Sequence, residues 1–500
     1  MADSQNAGRR KHIVWFVADQ LRSDALGCFG NPAASTPHMD ALAEEGTAFS
    51  NAYCQNPVCV PSRCSFLTGW YPHTLGHRTM HHMMREDDPD ILKTMRAAGY
   101  EVVWAGRNDY IPGSRSKAAY CDHYFDGIDL NDHATEPGAP LSEAALMGNV
   151  APTPSPIMEG FGSRYSFYLG TVPDGSFAHT YDANCVSAVM KFLDEYTGDK
   201  PLFIYCTLVN PHPPFICEER HRARIDVTKL PPRRDDVEKL SQRPAMLTGL
   251  RERQSLSNWG EDQWDELRAN YLGMVANFDE QLGRLVDKLR ERGIYDDTTL
   301  FVFSDHGEYA GDYGVVEKAQ NTFEDPLSKV PLIVKPTAGI PCAPGVNDAL
   351  VELVDLPATT ADLAGTKLNY SQCGVSLLDA ISGGSSPHDA VFCEGGRLPG
   401  EEPAMEEYRG PEFMYWARQS LQHSDGPAHL KASMVRMGNL KYVWRMAEDD
   451  ELYDLSVDPL ELDNRIDDPA YATDVARLRE RLLRHHIETA DFVPSQTDGR

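Results

Sequence analysis

The sequence predicts an α/β fold: a mainly parallel central sheet sandwiched by helices, followed by a smaller C-terminal α+β subdomain containing an antiparallel sheet. Short apolar runs alternate with amphipathic helical stretches through most of the chain, the pattern of a parallel sheet covered on both faces. Several of these runs stop abruptly at polar residues, as buried strands do where their carboxyl ends border a site. Past a Ser/Gly-rich break at 380–388 the alternation gives way to short strands and one final helix.

Taken in order, HIVWFVA (12–18) reads as a buried strand ending at Asp19-Gln20, and PHMDALAEEG (37–46) as a helix opened by Pro and closed by Gly. PDILKTMRAAG with YEVVWAG (89–106) is a helix and then a strand, and DANCVSAVMKFLDEY with LFIYCTLV (182–209) repeats the unit. Between Glu261 and Arg292, Trp264, Leu267, Tyr271, Met274, Phe278, Leu282, Leu285 and Leu289 recur every three or four residues. That is one long amphipathic helix whose apolar stripe is core. TLFVFSDHGE (299–308) is again an apolar run with a polar end, and PLIVK (331–335) is a further strand. Asp19, Asn210–His212 and Asp305–His306 all follow apolar runs, so three loops at one sheet edge would make one site. The Pro-rich 136–156 and the charged 218–262 read as surface insertions. AVFCEGG, KASMVRMG and LKYVWR are short antiparallel strands, and YATDVARLRERLLRHHIET is a closing helix. The division expected is a catalytic domain over 1–380 and a subdomain over 381–500.

A formal charge of -28 over 500 residues excludes a nucleic-acid partner, which needs a basic footprint, and requires any anion site to be locally positive. The basic RRK near the start precedes only a short apolar run that ends at Asp19, without the h-region or cleavage site of a secretory signal. No stretch approaches the roughly 18 apolar residues of a membrane span. The 11 cysteines are scattered and odd in number, as suits a reducing compartment. These features predict a cytoplasmic protein that meets no membrane.

The most informative segment is Cys59-Val60-Pro61-Ser62-Arg63-Cys64-Ser65-Phe66-Leu67-Thr68-Gly69. Pro61 favours a helix start, which puts the Cys59 thiol at a helix N-terminus with Arg63 one turn on, a setting that predicts an acidic, reactive thiol. The plainer reading is a buried free Cys beside a structural Arg. The full pattern, C-x-P-S-R-x-x-x-L-T-G, resembles the signature of the sulfatases, a branch of the alkaline phosphatase superfamily. The resemblance implies an alkaline phosphatase-like fold and conversion of Cys59 to formylglycine by a formylglycine-generating enzyme. Its hydrated gem-diol would be the nucleophile: one hydroxyl attacks, and deprotonation of the second expels sulfate and restores the aldehyde.

Further landmarks follow from the same resemblance. Asp19 stands where sulfatases carry a metal-binding Asp, and Gln20 where a second Asp often follows. Asp305-His306 matches the later metal pair, Asp-Asn in other members. The metal would thus be held by Asp19, Gln20, Asp305, His306 and the oxygen derived from Cys59. Oxygen ligands suit Ca²⁺, and the histidine makes Mn²⁺ or Zn²⁺ the alternatives. Taken singly, a strand-end Asp is more often a cap or turn residue than a ligand. AGRNDY (105–110) lies where many members have G-K-W-H. Arg107 then replaces the lysine and Asp109 the histidine, which leaves the base unassigned and makes Asn108 an alternative polar contact. His212 in NPHPPF resembles a sulfate contact and acid, and Lys318 a residue beside the leaving oxygen, with Lys329 in place of the usual Arg before V-P-L-I-V. In GHRTMHHMMRED (76–87), His77 and Arg78 read as pocket wall, and no zinc spacing is completed there. ELYDLSVDPLELDN (451–464) resembles the sulfatase C-terminal subdomain.

The function implied is hydrolysis of a small-molecule sulfate monoester, aryl or carbohydrate. The alternative is a phosphonate monoester or phosphodiester hydrolase of the same superfamily, which an Asp-His pair with Gln20 also resembles. A non-catalytic binding protein that keeps the fold is the third reading. The sequence leaves the oligomeric state open, a homo-oligomer included.

Overall fold

Every residue of β1 (His12–Asp19) after the first is buried, because strands cover both its edges and helices both its faces. The computed structural model describes residues 11–127, 151–235, 239, 242–424 and 426–493. In it β1 pairs in parallel with β6 (Leu202–Pro211) and with β8 (Thr298–Ser304). The sheet extends through β6 to β3 (Glu101–Gly106) and β4 (His123–Phe125). On the other side it extends through β8 to β9 (Lys329–Lys335), β2 (Thr47–Tyr53) and β10 (Gly345–Glu352). All neighbours are parallel except at β9, which runs antiparallel to both β8 and β2. That reversal matters for the site. An antiparallel partner needs no crossover, so the loop between β8 and β9 stays at the carboxyl edge of the sheet.

Alternate residues of β1 feed opposite cores. Val14, Phe16 and Ala18 join the face covered by α1 (Pro37–Glu45), α4 (Tyr181–Glu195) and the long α5 (Glu261–Glu291). Ile13, Trp15 and Val17 join the face covered by α2 (Cys59–Thr68) and α3 (Ile91–Ala97). Trp15 meets Phe66, Phe203 and Phe303 edge-on, which closes this second core around the strand that carries Asp19.

The segment 218–262 is not simply a surface insertion. A helix at Ala245–Arg253 buries Met246, Leu247 and Leu250 against Tyr309, Tyr313 and Ala319 of the β8–β9 loop and against Leu421. β7 (Phe215–Glu218) pairs with β5 (Tyr168–Val172) in a separate two-stranded sheet. Of the Pro-rich stretch 136–156, residues 136–150 lie outside the described residues. The break expected near 380–388 is a surface loop, exposed over 382–386. Beyond it β11 (Val391–Gly395), β12 (Ala432–Met437), β13 (Leu440–Arg445) and β14 (Glu451–Asp454) form an antiparallel sheet. Between β11 and β12 lies α6 (Trp416–Ser424), and α7 (Ala472–Thr489) packs Val475, Leu478 and Leu482 on Val435, Tyr442 and Leu452. Among the described residues no helix is long and apolar enough to cross a membrane.

Candidate active site

The carboxyl ends of β1, β6 and β8 and the N-terminus of α2 meet at one point, and Cys59 lies there fully buried. Its Sγ is 3.2 Å from His306 Nε2 and 3.7 Å from Asp19 Oδ1. The donor atoms of Asp19, Cys59, Asp305 and His306 all fall within 4.8 Å of one another, and all four residues are buried. The His306 Nδ1–H donates to the Gly307 carbonyl at 2.9 Å, so the Nε2 lone pair faces the cluster. Two carboxylates, an imidazole nitrogen and the Cys59 position make a donor set that fits one divalent cation.

Arg63 holds the two carboxylates apart from each other and in register. Its guanidinium donates to Asp305 Oδ2 at 2.9 Å, to Asp19 Oδ2 at 2.9 Å and to Thr207 Oγ1 at 2.6 Å. Arg107 adds a second fork, with Nη1 2.9 Å from Asp19 Oδ2 and Nε 2.5 Å from Asp109 Oδ2. Burial alone would raise the Asp19 pKa, yet Arg107 and Arg63 hold its carboxyl well below the usual range. The Asp19 Oδ1 oxygen, opposite Cys59 and His306, accepts from neither arginine.

Gln20 takes a left-handed backbone conformation (φ 70°), which is rare outside glycine and concentrates at functional sites. It is clamped from three sides. Its N–H donates to Asp305 Oδ1 at 3.0 Å, its carbonyl accepts from the Tyr271 hydroxyl at 2.9 Å, and its side-chain amide donates to Glu308. Its Oε1 accepts from Lys318 Nζ, which also donates to Glu317 Oε1 at 2.9 Å. Burial next to Glu317 pushes the Glu308 carboxyl up to about 7. Burial alone would discharge Lys318, but the carboxylates of Glu317 and Asp19 around it raise its pKa and keep it protonated.

The thiol differs from the sequence expectation. Position at a helix N-terminus predicts an acidic Cys59, whereas burial, and next Asp19, push its pKa well above the ordinary thiol value. Local helix geometry is outweighed here by desolvation and by carboxylates that the sequence places far away.

His212 is buried, and its Nδ1–H donates to the Pro213 carbonyl at 2.6 Å. Burial, with Lys318 and Arg107 nearby, lowers its pKa well below the usual imidazole value, so it stands neutral with Nε2 as an acceptor. Its loop is fixed by Asp182, which accepts from the N–H groups of Val209 at 2.7 Å and Asn210 at 2.9 Å. Asn108 spends its side chain on its own turn, donating to the Ile111 carbonyl at 2.7 Å and accepting from the Ile111 N–H at 3.2 Å. His77 pairs with Asp88 at 2.9 Å, and Arg78 with Glu401 and the Gly396 carbonyl. Among the described residues no hydrogen bond or ion pair ties either one to the Cys59 cluster.

Several neighbours of the site have no motif to announce them. Arg418, on α6, donates to Glu317 at 2.8 Å and grips Glu406 with Nε at 2.8 Å and Nη2 at 2.9 Å. Tyr415 lies under the Arg418 guanidinium, 5.1 Å from ring centroid to Cζ, and Glu317, Lys318 and Arg107 all act on its hydroxyl. Thr207 was legible in principle, as the one aliphatic hydroxyl inside the apolar run LFIYCTLV.

With this geometry in place, the comparisons with known proteins are consistent. The chain is 26% identical to the multifunctional alkaline phosphatase superfamily protein PehA of Trinickia caryophylli, over 96% of each chain. It is 25% identical to the choline-sulfatase of Rhizobium meliloti, over 94% of this chain and 85% of that one. Its fold matches the phosphonate monoester hydrolase of Agrobacterium radiobacter with a TM-score of 0.77 at 23% identity, over 96% of each chain. The family model described as Sulfatase matches residues 11–366, which include every residue of the buried metal-binding cluster. The chain therefore belongs to the sulfatase family, and it is a hydrolase of the sulfatase and alkaline phosphatase superfamily.

Proposed function

We propose that the protein hydrolyses sulfate monoesters, aryl or carbohydrate, through a formylglycine gem-diol formed from Cys59, with one divalent cation, Ca²⁺, at Asp19, Gln20, Asp305 and His306. The observation that carries this reading is the convergence on Cys59 of a carboxylate–imidazole donor set and three fixed cations, Arg63, Arg107 and Lys318. When bound, the cation polarises the sulfuryl group and eases ionisation of the gem-diol.

The chain's own residues divide the remaining work. Arg63 keeps Asp19 ionised and holds both Asp19 and Asp305 in place. Arg107 orients one face of the sulfate group, and its attachment to Asp19 and Asp109 fixes the plane of its fork. Lys318, charged and buried, donates to the leaving oxygen. His212 contacts the sulfate and, being neutral with Nε2 free, takes a proton during breakdown of the covalent adduct. This exchanges the acid role that the resemblance suggested for His212 for that of a base.

A second reading, hydrolysis of phosphonate monoesters or phosphodiesters, is favoured by one observation: neutral Gln20 stands where a second carboxylate often follows, and His306 completes the pair. Those esters and sulfate monoesters all carry a single negative charge at the tetrahedral centre, so pocket charge does not separate them. Parallel kcat/KM values for an aryl sulfate and the matching aryl phosphonate decide. A higher value for sulfate is expected, and an equal or higher value for phosphonate puts the second reading first. Peptide mass mapping of the matured protein should show a loss of about 18 Da at Cys59. An active enzyme with an unmodified thiol would refute the nucleophile.

A further inference from the structure

A second cluster of metal-ligating side chains lies outside this site. His73 sits in a short helix, Pro72–Leu75, just after the nucleophile helix α2, and His485 and His486 lie on α7 near the end of the chain. One ring nitrogen of each falls within 4.8 Å of the others. Glu394, at the end of β11, accepts from the His73 backbone N–H at 2.8 Å and lies 2.7 Å from His73 Nδ1. That contact directs Nε2 away from the carboxylate and towards Thr489 Oγ1, 2.8 Å off. A carboxylate behind a histidine is the arrangement that fixes the tautomer and raises the basicity of a metal-bound imidazole.

The other two rings are also held. His485, 5% exposed, stacks on Phe392 with centroids 3.6 Å apart and meets the edge of Tyr71 at 4.4 Å. Among the described residues its ring nitrogens have no hydrogen-bond partner. His486 Nε2 is 3.2 Å from Ser433 Oγ. The formal charges around the cluster are Glu394, Lys431 and Arg481, so a cation there would not face a concentrated field of one sign.

We infer that His73, His485 and His486 form a second metal site, structural rather than catalytic, whose ion is Zn²⁺. Three imidazoles suit a borderline transition metal, whereas the carboxylate-rich site at Cys59 suits a hard cation, so the two centres sort different ions. Tetrahedral coordination at about 2.05 Å needs nitrogens about 3.3 Å apart. Binding would draw the three nitrogens, now within 4.8 Å of one another, together by side-chain rotation, with Thr489 Oγ1 or a water in the fourth position. The ion would staple α7 to the segment that leaves the nucleophile helix. This inference does not rest on the proposed substrate.

The test uses full-length protein stripped with chelator and then given Zn²⁺ in the presence of excess Ca²⁺, with metal counted by mass spectrometry after gel filtration. One zinc per chain, a rise in thermal midpoint, and a tetrahedral Co²⁺ absorption spectrum on cobalt substitution are expected. His486→Gln and His73→Gln should each weaken zinc binding at least tenfold and leave ester hydrolysis in Ca²⁺ unchanged. Asp305→Asn should keep the zinc. The inference is overturned if the wild type retains no zinc, if the histidine variants retain it as tightly, or if Asp305→Asn loses it. His73 is tied to Glu394 and Thr489 whereas His486 has one hydrogen bond, to Ser433, so the His486 variant serves even where His73→Gln fails to fold.

Discussion

Replacing Lys318 by Met separates two costs that are usually entangled. Lys318, Glu317, Arg418 and Glu406 form a buried chain of alternating charge, with the Lys318–Glu317 contact at 2.9 Å and both Arg418 contacts at 2.8 Å. Without Lys318, Glu317 still accepts from Arg418 and from the residue 318 backbone N–H at 2.6 Å, so no carboxylate is orphaned. The expected loss of stability is therefore that of two charge-assisted hydrogen bonds, to Glu317 and Gln20, about 1.5–3 kcal/mol each, without the added penalty of an uncompensated buried ion. The catalytic loss should depend on the substrate. A general acid contributes about 10²–10⁴ when the leaving oxygen is basic and little when it departs readily as an anion. The assay is kcat/KM across aryl sulfates of graded phenol pKa. The variant should fall about a hundredfold or more at the basic end and less than about tenfold for nitrophenyl sulfate, with a steeper dependence on leaving-group pKa. An equal loss across the series would refute Lys318 as the donor and leave it a purely electrostatic neighbour.

Arg63→Met should destabilise the cation-free protein by about 3–5 kcal/mol, because it leaves the buried Asp305 without its arginine partner and Asp19 with Arg107 alone. Saturating Ca²⁺ should shrink that deficit in denaturant titrations, and a deficit independent of Ca²⁺ would show that the two carboxylates do not share an ion. Arg107→Lys keeps the charge but reaches only one of Asp19 and Asp109, so KM should rise by more than kcat falls, read in steady-state kinetics. Away from the site, burial would lower the His388 pKa, but Asp355 at 2.8 Å pushes it up to about 9. A raised histidine pKa gives stability that is complete below the unfolded value near 6.5 and lost as pH rises through 9. His388→Gln should thus cost about 3 kcal/mol at pH 6 and little at pH 10 in urea unfolding.

How much was legible depended on whether the cause was local. Cys59 with Arg63, Asp19, and Asp305 with His306 each belong to a short segment whose strand or helix end is written in adjacent residues, and the structure brings them together. The long helix α5 was equally plain, since its stripe repeats over 31 residues. The direction of β9 was not, because VPLIV has the same apolar profile whichever way it runs. β2 escaped notice because TAFSNAY interrupts its apolar pattern with Ser50 and Asn51, which bond to the neighbouring chain at 347 and 348. Arg418 and Tyr415 come from about a hundred residues beyond Lys318, and no spacing rule connects them to it. The thiol pKa failed for the same reason: the sequence displays the helix end beside Cys59 but not the two carboxylates folded against it.

The complete enclosure of Cys59 also sets a clock on the polypeptide. The whole of Cys59–Thr68 is buried, beneath strands that come from both ends of the first three hundred residues. For the proposed conversion of Cys59, a modifying enzyme would need the segment as an accessible peptide, a state that ends once β8 docks beside β1. On that proposal modification and folding compete, and slower collapse of the chain, by lower temperature or a bound chaperone, should raise the fraction of molecules that carry the aldehyde.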